Sequence, residues 1–333
     1  MDQTRIVAAI FGRLYTDSLH GALHGEELSA EQRHLTCRSS QQSNYNLPDK
    51  PKGSRRMSSL GPSIRTQDLK RHSIWTLSAI GFLAYYITVM WHEIIGHGSM
   101  MYLFGVRHFV LTSTSISMDA LLLPARAQNG TVGGRLIAMN GAISNVILGV
   151  ALYSVFRILT RNNANLTWRV FFWLLAALNV FIGFVYPFYS GTFGVADWSD
   201  AIVGLPHHAL LRVLEAVSGA TLSAGTVVFF ARSFARFPES LWRLSIVPFC
   251  AATVVFCLAG LRIPNGAELM VISVIPAALL GQSILVFVTP VARRLRTQTP
   301  PAEVIATSPA ALIVGFVFVI AILVTATGLH FAV

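Results

Sequence analysis

Charge is what this chain has least of. Only 12% of its 333 residues are Asp, Glu, Lys or Arg, against 53% hydrophobic residues and a mean hydropathy of +0.59. A soluble domain carries about 25% charged residues. The shortfall excludes an ordinary soluble fold and points to a polytopic membrane protein. Cysteine is scarce too. Cys37, Cys250 and Cys257 are too few for a disulfide framework and lack zinc-site spacing. No basic stripe interleaved with aromatics lies on a soluble stretch, so nucleic acid is not an expected partner. The formal charge of +10 reads instead as loop and tail arginines obeying the positive-inside bias.

What the chain does have is long apolar runs. Residues 1–72 stand apart as a basic, polar tail rich in Ser, Gln, Arg and His, read as disordered apart from a short helical stretch at 6–14. No apolar leader precedes the first span, and Met57 is an alternative start. From Ile74 onward, runs of roughly 20 apolar residues recur, the length that crosses a bilayer. Spans are expected at 73–104, 133–159, 168–187, 212–234, 241–262, 268–290 and 309–331, with a shorter broken element at 188–206. Pro187 and Gly191 are expected to interrupt the helix there. The fold class is an all-α polytopic transmembrane bundle of about six to seven spans. Residues 73–210 form a core that carries the chemistry. Residues 211–333 form further scaffold spans, with Glu215 and Glu268 near predicted ends. Arg55, Arg56, Arg65, Lys70 and Arg71 precede the first span and place the N-terminus in the cytoplasm, a bacterial inner membrane being the favoured membrane.

One motif breaks the apolar pattern. His92-Glu93-Ile94-Ile95-Gly96-His97 lies inside the first span. Ionisable groups at membrane depth are costly and mark functional sites by default. Two histidines and a glutamate are also the side-chain set of zinc hydrolases. The usual spacing in that class places the histidines at i and i+4; here they are at i and i+5. On a regular α-helix five residues rotate about 500°, leaving the two rings about 140° apart. A local π-turn would bring them to one face, and Gly96, without a Cβ, eases that distortion.

The six residues resemble the zinc motif of the dipeptidyl-peptidase III family. A wider resemblance, over about residues 75–205, is to the intramembrane metalloproteases of the site-2 protease (M50) class. Its blocks are His92 to His97, then Asn140-Gly141-Ala142-Ile143-Ser144-Asn145, then a broken element with Asn179, Pro187 and Asp197. The chain departs from that class in its longer histidine spacing and in having Trp198, not Gly, after Asp197.

The resemblance implies a broken helix whose Asp197 joins His92 and His97 as ligands of one catalytic Zn²⁺, with Asp200 as competitor or supporting group. Three protein ligands leave one position for water, whose pKa the ion lowers. Glu93 would move the proton from water to the leaving nitrogen. Asn140 or Asn145 would bind the substrate carbonyl or the oxyanion, with Asn179 as a more remote support. The implied function is endopeptidase cleavage of membrane-anchored protein substrates within the bilayer. The rival readings are a metal transporter or sensor and an inactive pseudoprotease scaffold that binds membrane helices. His207 and His208 are expected at the membrane boundary, outside the site.

Overall fold

A computed structural model describes residues 72–118, 122–237, 241–263, 274–297 and 303–332. The N-terminal tail with its stretch at 6–14, Cys37 and Glu268 lie outside the described residues. The architecture is all-α. Six helical segments are long and apolar enough to cross a membrane, and the protein is a multi-pass membrane protein.

The first span, Ile74–Leu103, has three parts: α1 (Ile74–Met90), a π-helical turn (Trp91–Gly98) and α2 (Ser99–Leu103). Ser73 caps α1, its side chain accepting from the N–H of Thr76. Then come the strands β1 (His108–Leu111) and β2 (Ile116–Met118). They are followed by α3 (Val132–Arg161), capped by Thr131, and α4 (Leu166–Phe193), capped by Asn165. A short α5 (Asp197–Ala201) precedes α6 (His208–Phe234) and α7 (Leu241–Gly260). The chain continues through α8 (Ile275–Gly281), α9 (Ile284–Leu295) and α10 (Pro309–Thr325), and ends in β3 (Leu329–Ala332). The strands form one antiparallel sheet in the order β2-β1-β3, leaving β2 at an edge.

Helix α4 is apolar all round because it is surrounded. Of its most apolar window 72% is buried, against 28% for α3 and for α6, both of which pack on it. Its Trp173 stacks on Phe234 and meets Phe230 edge-on, while the indole N–H donates to the Ser233 hydroxyl on α6. Interhelical hydrogen bonds of this kind hold membrane helices together where lipid offers no hydrophobic driving force.

Two expectations need correction. Pro187 and Gly191 do not break the chain: α4 runs through both and stops at Gly194, which takes a left-handed backbone. Gly191 serves contact instead, since a Cβ there would lie 2.4 Å from the Arg212 carbonyl oxygen and 2.5 Å from the Ala216 nitrogen. The guanidinium of Arg212 bonds the Gly191 and Thr192 carbonyls, two of the orphan acceptors that end the helix. The apolar run 309–331 is likewise not helical throughout. Its helix stops at Thr325, and Leu329–Ala332 pairs with β1.

Candidate metal centre

The π-turn expected from the i, i+5 spacing is present. His92 and His97 both lie in it and both are buried. Their ring centroids are 4.7 Å apart. Helix α3 crosses the turn at its small residues. A Cβ on Gly96 would lie 2.5 Å from the Gly141 Cα, so the glycine serves close helix approach as well as the wider turn. A Cβ on Gly141 would lie 2.6 Å from Nε2 of His92 and 2.7 Å from Nε2 of His97. Gly141 therefore supplies the space into which both rings turn.

The third group arrives from the far side of α4. After Gly194 the chain passes through Ala196, a non-glycine residue at φ +68°, and Asp197 then opens α5. Positive φ costs energy for an alanine and persists where surrounding contacts fix it. Asp197 does not cap α5, because the cap position belongs to Ala196 and no side chain caps it. Its Oδ2 lies 3.0 Å from His92 Nε2 and 3.4 Å from His97 Nε2; the two Nε2 atoms are 3.1 Å apart.

That triangle fits a metal. Tetrahedral zinc with bonds of ~2.0–2.1 Å spaces its ligands by ~3.3 Å. The second shell fits as well. His97 Nδ1 donates to the Ile137 carbonyl at 2.7 Å, which leaves the Nε2 lone pair free. His92 Nδ1 faces the Asn145 amide at 3.4 Å, and the Asn145 Oδ1 is buried without a partner. Turning that amide over gives His92 Nδ1–H an acceptor, satisfies the orphan oxygen and frees His92 Nε2 for an ion. Burial alone would raise the pKa of Asp197. With no ion bound, protonated His97 and hydrogen bonds from both Nε2 atoms outweigh it and hold the carboxyl well below the ordinary carboxylate range.

Glu93 sits in the same turn and is buried. Its Oε2 accepts from the Ile116 N–H at 2.9 Å, which ties the first residue of β2 to the site. Both residues line a cavity of about 270 Å³, together with His92, His97, Asp197 and Tyr186. Apolar walls from Met101, Ile137, Ile182 and Phe256 complete it.

The remaining sequence candidates fall as follows. Asp200 lines the cavity but stays outside the group whose ligand atoms converge. Asn140 donates to the Gly96 carbonyl at 2.7 Å, bracing the π-turn, and neither it nor Asn145 lines the cavity. Asn179 is fully buried and donates to the Thr88 hydroxyl and the Leu175 carbonyl. It thus ties α4 to the turn before the π-helix. His207 and His208 are exposed, away from the cavity. Three participants escaped the sequence reading. Tyr186 places its ring centroid 4.8 Å from that of His92. Ile116 and Gly141 are the others, and only Gly141 lay within a motif.

Fold and site together define a multi-pass helical membrane protein with two imidazoles and a carboxylate gathered at one point. Comparison with protein-family models, with curated proteins and with solved structures finds no match.

Proposed function

We propose that this protein is a zinc-dependent intramembrane endopeptidase acting on membrane-anchored proteins. One observation carries the reading: the convergence of His92, His97 and Asp197 in a cavity that also holds Glu93 and borders β2, an edge strand among the described residues. When bound, zinc supplies Lewis acidity and lowers the pKa of water. His92 Nε2, His97 Nε2 and Asp197 Oδ2 would hold it.

Glu93 is the proton carrier. Ile116 occupies its Oε2, so Oε1 takes the proton and passes it to the leaving amide nitrogen. Strand β2 positions the substrate. The Thr112 N–H bonds the Ser115 carbonyl, so in an antiparallel ladder Ile116 and Met118 direct their backbone groups away from β1. The Ile116 carbonyl and the Met118 N–H then offer an extended peptide a strand to pair with. Membrane substrates are helical, so only a segment able to unwind fits. The polar floor of the cavity has room for the attacking water, and its apolar walls accept an apolar side chain.

The Arg-rich end of the bundle, with Arg157, Arg161 and Arg169, faces the cytoplasm under the positive-inside bias. The metal centre then lies toward the opposite side.

The test is cleavage of single-span substrates by the full chain in liposomes. Glu93→Gln should retain the metal and lose about 10²–10⁴-fold in rate. Undiminished cleavage by that variant overturns the mechanism. Metal flux without any proteolysis replaces the reading with transport.

A further inference from the structure

A second cavity, of about 220 Å³, opens at the other end of the bundle, between the last turns of α3 and α6 and above the first turn of α4. It does not touch the metal centre. Four arginines line it: Arg157 from α3, Arg169 from α4, Arg232 from α6 and Arg236 just beyond α6. Aromatic rings make the rest of its wall. Tyr153 of α3 meets Phe229 of α6 with centroids 4.9 Å apart and Phe156 with centroids 5.6 Å apart, closing the floor.

Among the described residues most of the charge there is uncompensated. Glu303 pairs with Arg169, and no described carboxylate pairs with Arg157, Arg232 or Arg236. Even Arg169 is incompletely satisfied, since its Nε is buried and has no partner. A buried guanidinium N–H left unmade is costly. Four cations around one hollow also repel one another unless an anion fills it.

The ligand must be both anionic and greasy. A helix of 30 residues is ~45 Å long, longer than the ~30 Å hydrocarbon core, so the last turns of α3 reach headgroup depth. Beside the cavity, Val155 and Ile158 of α3 and Val228 and Phe229 of α6 are exposed and apolar. These line the path an acyl chain would take. We infer that this cavity is a binding site for the phosphate headgroup of an anionic phospholipid, held by Arg157, Arg169, Arg232 and Arg236. Basic pockets between membrane helices bind such headgroups, and anionic lipids concentrate in the cytoplasmic leaflet. The inference does not depend on the proteolytic reading.

The test uses the full chain in nanodiscs of phosphatidylcholine doped with phosphatidylglycerol or cardiolipin, with retained lipid read by native mass spectrometry. The triple variant Arg157→Gln, Arg232→Gln, Arg236→Gln should weaken anionic-lipid retention at least about tenfold. A control removing equal charge from the same end, Arg161→Gln, Arg293→Gln, Arg294→Gln, should leave it within about twofold. Equal loss in both triples, or loss in neither, overturns the site. Inorganic phosphate that displaces the lipid and by itself raises Tm as much overturns the lipid assignment in favour of a free phosphate. A photoreactive phosphatidylglycerol on the unmodified protein guards against misfolded variants. Its adducts should map to residues 150–160 and 229–237. Labelling spread around the bundle, or the same peptides labelled equally by a phosphatidylcholine probe, overturns the inference.

Discussion

Gly141 faces His92 so closely that a Cβ on the glycine would sit 2.6 Å from the imidazole Nε2. The two imidazole rings occupy space that exists only because α3 carries no side chain at that position. Gly141→Ala should therefore push the rings apart and weaken zinc binding by about 10–100-fold, the range seen when a ligand's supports are disturbed. Zinc titration of the purified protein, with circular dichroism as a check on helicity, would measure this. Zinc affinity within twofold of the parent would mean that the rings do not share one ion.

Asp197 and Asp200 are one helical turn apart on α5, and only Asp197 reaches the imidazoles. Asp197→Ala should abolish stoichiometric zinc, whereas Asp200→Ala should keep it. Metal content by elemental analysis separates the two. Loss of zinc on both substitutions alike would place the third ligand elsewhere on α5.

Asn145 orients His92 through Nδ1. Asn145→Leu removes that support and leaves the ring a free tautomer, so zinc affinity should fall by about 10–100-fold without loss of the fold. Asn145→Asp keeps an acceptor and should restore most of the affinity. Equal affinity in the parent and the leucine variant would show that the amide only packs.

His72 clasps the start of α1 to the segment before α10. Its Nδ1 accepts from the Ile305 N–H at 3.0 Å, and the Ser73 N–H bonds the Ile305 carbonyl at 2.9 Å. Burial, and then the charge of Arg243, push the pKa of His72 below its ordinary 6.5. The unfolded or unclasped form binds the proton more tightly. The clasp is therefore fully stable above pH 6.5 and loses stability as pH falls from there toward the lowered folded value. Protection of the amides of residues 303–308, measured against the intrinsic exchange rate at each pH, should fall on going from pH 7.5 to 5.5. His72→Gln should abolish that fall. An unchanged pH response in the glutamine variant would assign it to another group.

The sequence by itself determined the class of the protein and named its candidate site residues. Hydropathy is a local property summed over about twenty residues, so the membrane spans and the all-α class could be read without knowing any neighbour. The ionisable cluster at His92–His97 was legible for the same reason, because its cost at membrane depth does not depend on the fold. Even the π-turn followed from the spacing, once both rings were taken to share one ion. Only the tertiary structure decided where the helix before Asp197 ends. Pro187 carried the stronger local signal, yet the packed surroundings of α4 keep the helix going to Gly194. The role of Gly141 was equally hidden, since a missing side chain matters only through what moves into its place. Strand β2 is three residues long and gains its meaning from Glu93, far away in sequence. Such contacts join distant segments, and no local pattern of residues encodes them.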